Sequence, residues 1–99
     1  MTDKYILKGH EAVPCDDLME WAKAFEVTDR HVASDKIGDT RISTVFLGID
    51  HAWGGGEPLL FETMIFGGPH SEYQERCSTW DEAVKQHGVA VDLVKTSLQ

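Results

Sequence analysis

Long apolar runs are missing from this chain of 99 residues. No stretch approaches the roughly 18 residues that a membrane-spanning helix requires. Cysteine is scarce: Cys15 and Cys77 lie far apart, and neither belongs to a Cys-x-x-Cys pair. Clustered lysine and arginine are missing too. Seventeen acidic residues against 9 basic ones leave a formal charge of −8. That excludes binding nucleic acid by phosphate neutralisation and speaks against anionic membranes. There is no Gly-x-x-x-x-Gly-Lys and no Gly-x-Gly-x-x-Gly opening a helix, so no phosphate-bearing cofactor is expected. His10, His31 and His70 are dispersed, without the His-x-x-x-His or Cys/His spacing of a zinc site. The opening Met-Thr-Asp-Lys-Tyr lacks the basic-then-apolar order of a secretory leader. The expected compartment is therefore the cytoplasm, with both thiols free.

What is present describes one ordinary domain. The chain is 41% hydrophobic and 26% charged, as soluble globular domains are. Lys4–Lys8 reads as a short first strand, with Gly9 and Pro14 bracketing a connection. Asp17 and Glu20 have the spacing of a capping box, and Leu18, Trp21, Ala22 and Phe25 follow on one apolar stripe. This predicts a helix over about Leu18–Val27. His31–Ile37 is a weaker strand, and Gly38-Asp39 a tight hairpin turn. Ile42–Ile49 and Leu59–Phe66 are two apolar strands whose faces are both largely apolar, so they are central or covered. Gly67-Gly-Pro69 ends the sheet, and His70–Cys77 reads as polar loop. Thr79 and Glu82 form a second capping box. The final helix carries Trp80, Val84, His87, Val91, Val94 and Leu98 at helical spacing.

The order β-α-β-β-β-α predicts an α+β fold over residues 1–99, an antiparallel sheet with both helices on one face. The other face then looks too apolar for water, which predicts a homodimer or another partner on it.

Candidate chemistry gathers around the connection Asp50-His-Ala-Trp-Gly-Gly-Gly-Glu-Pro58. Trp53, with Gly54, Gly55 and Gly56, either presents an aromatic anchor or folds back onto the core. Asp50 beside His51 pairs a carboxylate with an imidazole, which is general-base chemistry. Neighbours on a strand nevertheless point to opposite faces. Glu62 interrupts an apolar strand and needs a partner, with Arg30, Arg41 and Arg76 as candidates. His31 and His51 are the residues to watch for a metal. His87, on an apolar stripe, reads as a satisfied core histidine. Cys15 precedes a helix N-terminus, but Asp16 and Asp17 work against its activation.

Three phrases carry a resemblance. They are Asp29-Arg-His-Val-Ala33, Ile42-Ser-Thr-Val-Phe-Leu-Gly-Ile-Asp-His51 and Gly54-Gly-Gly-Glu-Pro-Leu-Leu-Phe-Glu-Thr-Met-Ile-Phe-Gly-Gly68. With Ser78-Thr-Trp-Asp-Glu-Ala83 and Gln86-His-Gly88, they make the chain from Tyr5 to about Gly88 resemble a family of small bacteriophage and prophage proteins of no known activity. The resemblance implies an accessory protein that binds a host or phage protein in the cytoplasm of the host cell. It transfers no site. The first expectation is thus a protein-binding module working through the apolar sheet face and residues 50–58, with a basic partner suited to the acidic surface. The alternative is a small metal-dependent or acid/base enzyme using Asp50, His51 and Glu62. A third reading, mimicry of a nucleic-acid backbone, requires the carboxylates to line one ridge.

Overall fold

The chain opens with a hairpin that its sequence only half reveals. In the computed structural model, which describes residues 2–97, β1 (Tyr5–Lys8) pairs antiparallel with β2 (Glu11–Pro14). The segment expected to be a connection is this second strand. Pro14 is tolerated because it ends the strand in a small separate sheet. The helix α1 (Leu18–Val27) starts as its spacing predicts, with Asp17 Oδ1 accepting from the amides of Met19 and Glu20 at 2.9 and 3.1 Å. Its stripe is used only in part. Trp21 and Phe25 are half-buried, whereas Leu18 and Ala22 are exposed. The surface beneath α1 is narrow, being mainly β1 and the chain around Gly48.

Four strands then form an antiparallel meander in the order β3 (His31–Ile37), β4 (Thr40–Phe46), β5 (Phe61–Phe66) and β6 (Gln74–Cys77). Gly38-Asp39 closes the β3–β4 hairpin with Ile37 opposite Thr40, as its turn chemistry predicts. A register shift between His31 and Ala33 bends the start of β3. β4 and β5 are shorter than the apolar runs around them, because Gly48 and Asp50 draw the backbone away towards residues 3–5. The polar segment Gln74–Cys77 is a strand rather than a loop, pairing Glu62 with Arg76 and Thr63 with Glu75. A polar sequence is compatible with an edge strand.

The last helix, α2 (Trp80–Ser97), begins with a complete capping box. The Glu82 amide donates to Thr79 Oγ1, and the Thr79 amide donates to Glu82 Oε1, both at 3.1 Å. α2 lies across all four meander strands. It buries Ala83, His87, Ala90 and Val94, while Leu98 of the expected stripe is outside the described residues. Ile42 and Ile65 pack on Ala90 and Val94 at one end; Phe46, Phe61 and Leu60 pack on Ala83 at the other. Tyr5, Leu7 and Ala12 join the second group and tie the small hairpin to the larger sheet. The fold is α+β in one domain. α2 alone provides the helical layer on the four-stranded sheet, and α1 has β1 as its main strand partner.

Gly48 is where α1 meets the sheet. Its φ is +79°, its carbonyl accepts from Trp21 Nε1 at 3.0 Å, and an added Cβ would lie 2.8 Å from the Phe25 ring. Gly48→Ala would force both a left-handed non-glycine residue and a displaced ring. Urea unfolding of that variant is expected to show a loss of about 2 kcal/mol, with α1 more exposed to proteolysis than the meander.

Candidate functional site

The connection between β4 and β5 has a tied base and a free tip. Asp50 Oδ1 accepts from the amides of Ala52 at 2.7 Å and Leu59 at 2.9 Å, closing the loop across its neck. The Asp50 amide donates to the Asp3 carbonyl, and Lys4 bridges to Ile49. His51 donates its amide to the Leu59 carbonyl, and its Nδ1 lies 2.8 Å from the Ile49 carbonyl. Asp50 and His51 are thus occupied in holding the loop closed. Beyond them Gly54, Gly55 and Gly56 all have φ near +90°, which lets the tip bend away from the protein. Trp53 is 92% exposed and does not fold back onto the core.

Glu62 has found its partners. Its Oε2 accepts from Gln74 Nε2 at 2.6 Å and Arg76 Nε at 2.9 Å, and the carboxylate is almost covered. It lies on the face of the meander away from α2. His31 shares that face, in the row His31, Val45, Glu62, Arg76, but its ring turns to Asp29 Oδ1 at 3.0 Å. The His31 amide, donating to the same carboxylate, is the main reason the Asp29 pKa lies below the usual value. No three His, Cys, Asp or Glu side chains gather into a metal-binding group among the described residues.

This open face is less apolar than the sequence suggests. Val45, Met64 and Phe66 lie on it, but so do Lys36, Arg41, Ser43, Glu62, Gln74 and Arg76, by strand alternation and register. The Arg41 guanidinium sits 4.5 Å from the centre of the Phe66 ring and covers it.

A chain of hydrogen bonds beneath α2 has the order of a catalytic triad. His87 Nε2 lies 2.7 Å from Asp35 Oδ2, and His87 Nδ1 lies 2.7 Å from Thr44 Oγ1. Thr44 Oγ1 is 2.7 Å from Thr63 Oγ1, to which Gln86 Nε2 donates at 2.9 Å. With the proton on Nε2, every donor meets an acceptor, from Gln86 through both threonines and His87 to Asp35. Thr44 has no solvent exposure, so its hydroxyl cannot reach a substrate. The arrangement holds α2 to the sheet. His87 is the satisfied core histidine that its place on the stripe predicts.

A concave feature lies elsewhere. A cleft of about 730 Å³ opens between the β1–β2 hairpin, the end of the long connection and the start of α2. Tyr5, Leu60, Pro58 and Trp80 line it. His10, at the hairpin turn, stacks on Trp80 with ring centres 3.9 Å apart and planes within 5°. The sequence gives no sign of this cleft, since its walls come from three distant segments. The neighbouring Cys77 thiol is pushed up to about 11 by burial and by the Glu82 carboxylate. Cys15 is buried, with its Sγ 3.5 Å from the Asp17 carbonyl.

No helix among the described residues is long and apolar enough to cross a membrane. No protein-family model, curated protein or solved structure matches the chain.

Two outcomes are expected from these groups. Thr44→Val leaves His87 Nδ1 and the Thr63 hydroxyl proton without their buried partner and should cost about 3 kcal/mol in urea unfolding. Asp35→Asn, at the exposed end, keeps an acceptor and should cost about 1 kcal/mol or less. Cys77 should alkylate slowly at neutral pH, its rate rising towards pH 11. The folded-state pKa is above the ordinary value of 9.0. The associated stability is therefore full below pH 9 and lost as pH rises towards 11. Tyr73, raised chiefly by burial, adds to the same loss. Stability measured between about pH 9 and 11 should fall less steeply in Cys77→Ala.

Proposed function

We propose that this is a non-enzymatic phage or prophage accessory protein that binds a host or phage protein in the host cytoplasm. Its anchor is Trp53. The observation that carries this reading is an indole 92% exposed at the end of a loop whose base is held by Asp50. Fully exposing so large an apolar ring gives nothing to the fold. At an interface, tryptophan is among the residues that contribute most to affinity. The glycines beside it let the ring adjust to a partner, while the tied neck limits the ordering cost.

The groups suspected of catalysis support the same choice. Asp50, His51 and Glu62 are all engaged in internal bonds. The net charge of −8 favours a basic partner and faster association at low salt. A homodimer through the open sheet face is secondary in this reading. Two copies face to face would have to bury Lys36 and Arg41 together with the Glu62–Arg76 pair, charges that are costly to take out of water.

The test compares wild type and Trp53→Ala in affinity capture from host lysate, with salt varied. Wild type should retain a discrete basic protein that the variant loses, and high salt should weaken the capture. Trp53→Ala should keep its stability within about 0.5 kcal/mol of wild type. Equal capture by both proteins would remove the anchor from the reading.

A further inference from the structure

We propose that the cleft between the β1–β2 hairpin and the start of α2 is a binding site for a small planar organic cation, such as an aromatic amine. The site is independent of the Trp53 reading.

Size and lining come first. At about 730 Å³ the cleft lies within the range of roughly 300–1,000 Å³ typical of small-ligand sites. Leu60 is buried, and with Ala12 and Pro58 it contributes apolar surface. Tyr5 and Trp80 contribute aromatic rings from opposite ends of the chain. Trp80 is fixed in place, with His10 stacked against it and Phe61 meeting it edge-on at 6.3 Å. An aromatic-lined slot whose rings are already held suits a flat ligand, because little ordering is needed on binding.

Charge decides the sign of the ligand. Exposed Glu11, Glu57 and Asp81 lie on the lining, against the ammonium of Lys8 among the described residues. They come from β2, the long connection and α2, so the acidity belongs to the cleft and not to one element. A helix N-terminus ordinarily favours anions. Here the Glu82 carboxylate accepts from the Ser78 and Thr79 amides, and Asp81 lies in the same first turn, so two carboxylates of the protein offset the positive pole of α2. A cation gains from the three mouth carboxylates and from the ring faces, whereas an anion of the same shape meets repulsion.

The experiment is an NMR titration of the isotope-labelled full chain with tryptamine and, separately, indole-3-propionate, which has a similar body and the opposite charge. Tryptamine should give saturable shifts at the Trp80 indole N–H and the Leu60 amide. Indole-3-propionate should bind at least about tenfold more weakly. Glu57→Gln and Asp81→Asn, both exposed, should each weaken tryptamine about threefold while leaving the remaining spectrum in place. Trp53→Ala should bind tryptamine as wild type does. Shifts that do not saturate, that centre away from Trp80 and Leu60, or that are equal for the two ligands would overturn the proposal. So would tryptamine affinity untouched by both carboxylate variants.

Discussion

A single file of polar atoms through the middle of the core constrains everything around it. Thr44 and Thr63 face each other on the two central strands, and His87 reaches down from α2 to close the line. On one side lie Ile42, Ile65, Ala90 and Val94; on the other lie Phe46, Phe61, Leu60 and Ala83. Apolar packing alone would tolerate α2 sliding along the sheet, since one aliphatic contact resembles the next. The polar line does not. A slip of one residue between β4 and β5 would turn one threonine away from the other and strand both hydroxyls in an apolar interior. Whatever such a network contributes in energy, it specifies one register and one helix placement.

Local signals in the sequence foretold the parts of the fold that local chemistry determines. Both helix starts follow from an acidic or hydroxyl cap three residues before a glutamate. The Gly38-Asp39 hairpin and the two apolar strands follow from turn residues and β-branched runs. The parts it hid depend on remote partners. Gln74–Cys77 becomes a strand because Glu62 and Thr63 offer it a ladder, which no inspection of four polar residues could reveal. Glu11–Pro14 becomes one because Tyr5–Lys8 folds back on it. The stripe on α1 was visible, but amphipathicity states only which side faces inward, not how wide the receiving surface is.

The same division runs through the candidate site. That Glu62 needs a partner could be read from its apolar neighbours, and Arg76 was among the three arginines available. Asp50 and His51 looked like an acid and a base. Their side chains turn instead to backbone groups within nine residues along the chain. Whether Trp53 points in or out cannot be settled by composition, because glycines permit either path. The cleft has no sequence signature at all. Its location has a physical logic: the strand ladder of the small hairpin is tied to the loop neck through Asp3, Lys4 and Tyr5. The loop tip, the loop end and the hairpin therefore emerge from one seam, beside a sheet that is fixed from within.

The outermost strands bear on how this protein behaves when crowded. β6 has only four residues, and β3 is distorted where its register shifts between His31 and Ala33 and carries Asp35 and Lys36 further on. Neither offers a straight, uncharged border on which another molecule's backbone could lengthen the ladder. Abundant synthesis should then yield dispersed molecules rather than growing filaments, even though much of each central strand would be a competent fibre-forming segment if it were laid bare.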